Sequence, residues 1–74
     1  MKNVTVCLGF NTKQWWVYDE DRGCFVDPPT SVLDEVMQPD DQDAQEDRLY
    51  EIAQANPDWL YDEDYCYYDE DLDI

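Results

Sequence analysis

Three times in this chain a tyrosine is followed by three consecutive carboxylates, at Tyr18–Asp21, Tyr61–Asp64 and Tyr68–Asp71. Clustered carboxylates can work as an acid–base pair, ligate a hard cation, engage the cations of a partner, or simply stay solvated. Acid–base work on a glycoside needs two carboxyl groups across a water-excluding cleft, for which 74 residues leave little room. Histidine is absent, Ser31 is the single serine, and Gly9 and Gly23 are the only glycines. Nucleophile–base triads and phosphate-cradling loops therefore lack their material, and neither a catalytic residue nor a cofactor is expected. No cluster keeps the spacing of a calcium loop, and Asp19-Glu20-Asp21-Arg22-Gly23 is too short for one, so no metal is expected either.

What remains is charge. Twenty acidic residues face four basic ones, a formal net charge of -16. A solvated face is the usual explanation of an acidic run, and solubility of a small domain needs a net charge of only about 2 to 8 in magnitude. Two carboxylates ~7 Å apart repel by roughly 0.6 kcal/mol even in water, and a fold stable by only ~5 to 15 kcal/mol must carry many such pairs. The recurrence of the triplet and the scarcity of bases point to a use for the charge. The charge is also uneven: residues 1–37 carry a net -3 and residues 38–74 a net -13. The expected organisation is one domain over 1–74, with a β-rich scaffold and short helix in 1–37 and an acidic helical display segment in 38–74. Three tryptophans, six tyrosines and two phenylalanines supply a core, against the disorder that high charge otherwise brings.

The pattern of elements predicts an α+β fold. Val4, Val6, Leu8 and Phe10 alternate with Thr5, Cys7 and Gly9, the period of a half-buried strand. Asn11, Thr12 and Lys13 supply a turn, and Arg22-Gly23 a second, so a three-stranded antiparallel meander is expected over about 3–10, 14–19 and 24–26. Tandem Trp15-Trp16 then points one ring to each side of the sheet, one into the core. After Pro28-Pro29, Thr30 or Ser31 with Asp34 reads as a capping box opening a short helix through Val32, Leu33, Val36 and Met37, stopped by Pro39. A second helix is expected over about Asp40 to Ala55, with Asp40, Asp41 and Asp43 at the positive end of its dipole and Leu49, Ile52 and Ala53 as its apolar stripe. In the acidic aromatic C-terminal segment, Tyr61, Tyr65, Tyr68 and Leu72 fall on one helical stripe, although Tyr65 to Tyr68 also suits a short strand. Trp59 reads as a core plug pinning this segment. Cys7, Cys24 and Cys66, an odd count without paired spacing, read as buried thiols.

If residues 58–73 are helical, their eight acids give one charge per ~3 Å of axis, close to the ~3.4 Å of one DNA strand. Small size, acid excess and aromatic-acidic segments make the chain resemble phage-encoded DNA-mimic inhibitors, including anti-CRISPR proteins, anti-restriction proteins and uracil-DNA glycosylase inhibitors. The resemblance rests on composition and the Tyr-Asp-Glu-Asp segments, covers chiefly residues 40–73 and assigns no residue individually. It implies a viral protein for evasion of host defence that blocks a basic nucleic-acid-binding protein by filling its Lys/Arg-lined groove, with a CRISPR effector complex favoured over a restriction or repair enzyme. The contact set expected from the residues is Asp62, Glu63, Asp64, Asp69, Glu70 and Asp71, extended by Asp19, Glu20, Asp21, Asp40, Asp41, Asp43, Glu46, Asp47 and Asp58, with Tyr61, Tyr65 and Tyr68 as fitted contacts. An acidic immunity protein or antitoxin covering a nuclease active site, or an acidic-aromatic segment that folds on binding, are the alternatives. Neither direct nucleic-acid binding nor a membrane is expected, the protein should be a monomer or small homo-oligomer, and an N-terminus without a leader pattern predicts a cytoplasmic location.

Overall fold

The computed structural model describes residues 3–68. Four antiparallel strands, β1 (Val4–Leu8), β2 (Trp15–Asp19), β3 (Cys24–Val26) and β4 (Cys66–Tyr67), lie in sequence order across one sheet. Two helices, α1 (Thr30–Val36) and α2 (Gln42–Gln54), and two 3-10 turns, Asp58–Tyr61 and Glu63–Tyr65, connect β3 to β4. The molecule is thus a small α+β fold with an antiparallel sheet, and it contains a fourth strand where the C-terminal segment returns to the sheet edge.

Strand alternation builds the core. The register places Val6, Val17, Val26 and Cys66 in one row across the sheet. Val4, Val6, Trp15, Val17, Cys24 and Val26 pack in one cluster with Val36 of α1, Leu49 and Ala53 of α2, and Leu60. Val17, Val26, Val36, Leu49 and Leu60 are fully buried, each stabilising the fold by about 1.5–3 kcal/mol through removal from water. Trp15 belongs to this cluster, whereas Trp16 lies on the other face, edge-on to Tyr67 with ring centroids 6.1 Å apart. Tyr18 packs against Phe25 on that same second face, the rings tilted by 59° with centroids 4.9 Å apart.

Several expectations are corrected here. Strand β1 ends at Leu8, and Leu8 and Phe10 are 37 % and 79 % exposed, because the chain already turns at Gly9, whose amide donates to the Gln14 carbonyl. Phe10 instead lies under the Lys13 ammonium, 4.6 Å from the ring centre. Helix α1 has no side-chain cap: Pro29 occupies the cap position, and the carbonyl of Pro29 accepts from Val32 and Leu33. Met37 follows the helix and is exposed. Helix α2 begins as expected at an acidic cap, the Asp41 side chain accepting from the Asp43 amide. It ends before Asn56, whose φ of 55° turns the chain out of the helix just ahead of Pro57.

Residues 58–68 are not a helix. The 3-10 turns and two-residue strand put Tyr61, Tyr65 and Tyr68 on no common helical stripe, so the expected helical array is absent from the described part of this segment. The plug is Leu60, fully buried; Trp59 is only half-buried against the same cluster. Cys24 and Cys66 are joined in a disulfide across 42 residues, with Cα atoms 6.0 Å apart, rather than remaining buried thiols. Cys7, half-buried on β1, stands outside it.

Candidate acidic interface

Every aspartate and glutamate among the described residues is exposed except Asp19, which is fully buried, and Asp27, which is half-buried. The described cations are already engaged within the chain. Arg22 donates from Nε to Asp19 at 2.8 Å and from Nη2 to the Leu60 carbonyl; Arg48 pairs with Glu35; Lys13 lies over Phe10. Among the described cations Arg22 alone neutralises a buried carboxylate; the Arg48–Glu35 pair is half exposed at the surface, and Lys13 lies over an exposed ring.

These carboxylates form two groups. The first is helical: Asp43, Glu46, Asp47 and Glu51 are exposed along α2, while Leu49 and Ala53 face the core. Asp43, Asp47 and Glu51 are spaced four residues apart, so each step along the axis is about 6 Å, close to two nucleotide steps of a DNA strand at ~3.4 Å each. Asp40 and Asp41 are exposed just ahead of the helix, where the Asp41 carboxylate is occupied as its cap. Glu35, Asp47, Arg48 and Glu51 line a groove between α1 and α2. The density expected of the C-terminal segment, one charge per ~3 Å, is not reproduced on α2, whose aligned carboxylates are about 6 Å apart.

The second group is tertiary. Arg22 links the β2–β3 turn to Leu60, so the first two Tyr-Asp-Glu-Asp segments, 43 residues apart in sequence, are drawn together. Arg22 and Glu63 share a groove with Cys66 and Tyr68. Glu20 and Asp21 are exposed on the turn, Asp58 at the start of the first 3-10 turn, and Asp62, Glu63 and Asp64 beyond it. The Asp62 carboxylate also caps the second 3-10 turn by accepting from the Asp64 amide at 3.0 Å.

The repeated letters do not make a repeated structure. In the first copy Tyr18 is a half-buried strand residue and Asp19 points inward. The Asp19 carboxylate accepts from the amides of Asp21 and Arg22 as well as from the Arg22 side chain. Asp19 is therefore withdrawn from the expected contact set, because its charge closes the turn. In the second copy Tyr61 is 52 % exposed and its carboxylates all face water. Tyr65 is half-buried against the core and serves packing; Tyr68 is exposed. The third copy runs past the described residues at Asp69, Glu70 and Asp71.

Asp27, absent from the expected contact set, is a half-buried carboxyl beside the C-terminal segment. Burial pushes its pKa up, and the hydrogen bond donated by Gln14 Nε2 partly opposes this. Nothing in the sequence marked it beyond its position directly before Pro28. Among the described residues no three acidic or cysteine side chains converge on a metal-sized site, and no helix is long and apolar enough to cross a membrane. No protein-family model, curated protein or solved structure matches the chain.

Proposed function

We propose that this protein is an acidic DNA-mimic inhibitor that occupies the basic nucleic-acid groove of a host-defence complex, with a CRISPR effector complex as the favoured target class and a restriction or repair enzyme next. The observation that carries the reading is the imbalance of exposed charge: the three described cations are each engaged within the chain, Arg22 on the buried Asp19 and Arg48 on Glu35 at the surface, while nearly all described carboxylates are exposed. Proteins that hold nucleic acid gain much of their affinity by replacing condensed counterions with Lys and Arg contacts. Carboxylates held at fixed separations take those same contacts without any base readout.

In this reading the α2 stripe supplies the regular element, and the Arg22-linked turn and Asp62–Asp64 supply a second acidic patch. Tyr61 and Tyr68 lie exposed beside that patch and offer rings for guanidinium stacking. The chain acts by binding, with no catalytic step and no cofactor. Association is steered by long-range attraction and slows as salt shortens its reach to ~8 Å near physiological ionic strength.

The test is retention on a bacterial lysate followed by elution in a salt gradient, then competition on the identified target. A mimic is displaced by duplex DNA at the same groove. A chain that binds one nuclease outside its DNA groove and ignores added DNA belongs to the immunity-protein class instead. Within a verified complex, replacing Asp43, Glu46 and Asp47 together by lysine should weaken binding at least about tenfold, a loss of ~1.4 kcal/mol, while the circular-dichroism melt stays cooperative. Unchanged affinity in that variant would remove α2 from the interface.

A further inference from the structure

We propose that the Cys24–Cys66 disulfide is a redox gate on the acidic segment 58–68, opened by a dithiol reductant while the rest of the fold stays closed. The segment is fastened at its two ends, and half-buried Tyr65 and the edge-on contact of Tyr67 with Trp16 add packing near the far one. Its near end is fixed by burial of Leu60 and by the Arg22 contact to the Leu60 carbonyl. Its far end is strand β4, two residues long, paired only with β3 through Phe25–Tyr67 and Val26–Cys66 and assisted by the Asp27 amide donating to the Tyr65 carbonyl. So short a pairing is marginal by itself, and the disulfide supplies the covalent hold. Between the two fastenings stand Asp62, Glu63 and Asp64, all exposed. The remaining core, from Val4, Val6 and Val17 to Val36, Leu49 and Ala53, is joined by packing that does not pass through Cys66.

The two sulfurs differ in access. Cys24 is fully buried, whereas Cys66 is half-buried and lines the open groove with Arg22, Glu63 and Tyr68. A reductant thiolate therefore attacks the Cys66 sulfur, forming a mixed disulfide and expelling Cys24 as a thiolate that takes up a proton. The reductant's second thiol then closes on its own sulfur of the mixed disulfide and releases Cys66 as a thiol. Two electrons pass to the protein, and the dithiol leaves as its disulfide. The approach is through an acidic surface, so an anionic thiol such as glutathione is slowed relative to a neutral dithiol, and added salt narrows the gap. A compartment that keeps thiols reduced would hold the gate open, and an oxidising one would hold it shut.

Amide hydrogen exchange on the full chain, with and without dithiothreitol, tests this. Opening the gate should speed exchange at residues 61–68 by at least about tenfold while Val6 and Val17 keep their protection. The variant Cys66→Ser should show the same pattern without reductant, and Cys24 and Cys66 should take up iodoacetamide only after reduction. Unchanged exchange over 61–68 would overturn the proposal, as would labelling of both cysteines without reductant. Loss of protection across β2 as well would also overturn it, since the bond would then support the whole fold rather than one segment. None of these outcomes depends on the identity of the partner.

Discussion

Helix α2 and the segment 58–68 are both acidic surfaces, but their carboxylates are held in place by different forces. On α2 the spacing comes from the helix itself: backbone hydrogen bonds set the rise, Asp41 caps the first turn, and Leu49 and Ala53 decide which side faces water. In 58–68 the backbone makes only two short 3-10 turns and a two-residue strand, and the positions of Asp62 to Asp64 follow from the burial of neighbouring Leu60 and from distant residues: Arg22 from the β2–β3 turn, and Cys24 through its disulfide. A local array tolerates damage elsewhere in the fold. A tertiary array does not, and it can be rearranged by a single chemical event.

The largest expected separation between the two regions comes from Arg22→Ala. It leaves the Asp19 carboxylate buried without its cation and cuts the link to Leu60, and removal of one partner from a buried pair costs about 3–5 kcal/mol. Urea denaturation should show a loss of that order. Arg22→Lys should recover only part of it, because a single ammonium cannot reproduce the two-directional donation of the guanidinium. A loss below about 1 kcal/mol in the alanine variant would mean that the segment is held without this residue.

A smaller effect, confined to the other region, is expected from Asp41→Ala. Loss of the cap should cost about 1 kcal/mol, visible as lower helical signal and a lower melting temperature, with exchange in 58–68 unaltered. Equal disturbance of both regions would erase the distinction drawn between them.

The smallest effect is electrostatic and sits where the segment meets the sheet. The Asp27 carboxyl, whose amide holds the Tyr65 carbonyl, is raised above its ordinary value near 3.8 by burial. The folded protein therefore binds more protons than the unfolded chain in the window from about pH 3.8 upward. The contribution of Asp27 to stability is complete below that window and is lost as pH rises through the folded-state pKa. Asp27→Asn keeps an acceptor for Gln14 and removes the proton, so the difference between variant and parent should be pH-dependent in that range and level above it. A constant difference at every pH would show that the group's ionisation does not couple to folding.

Much of the scaffold was legible because its determinants are local. Alternation in Val4–Leu8, the turn at Arg22-Gly23, where Gly23 adopts a φ of 68°, and the acidic cap before an apolar stripe in α2 each announce their element within a few residues. The exposure of most of the expected contact residues was equally legible, since an excess of charge has nowhere else to go. The helical reading failed where two local signals competed, while the short strand that Tyr65 to Tyr68 also suits is present as Cys66–Tyr67. Tyr61, Tyr65 and Tyr68 satisfy a helical period, yet Leu60 is drawn into the core and Cys66 to the sheet edge, and a continuous helix cannot meet both demands. The sequence reading failed again at Asp19, which looks like its acidic neighbours but lies on the inward side of β2, where it satisfies the amides of the following turn. The Cys24–Cys66 pairing left no local trace at all.

Composition alone decided that this molecule would be densely negative and that its few cations could not neutralise it, because no arrangement of the chain removes those charges. Local pattern decided most strands and both helices, since hydrogen bonding and side-chain period act over a few residues. Only the tertiary structure decided which carboxylates meet the solvent as a set, because the link from Arg22 to Leu60 and the bond from Cys24 to Cys66 join positions that have no relation until the chain is folded.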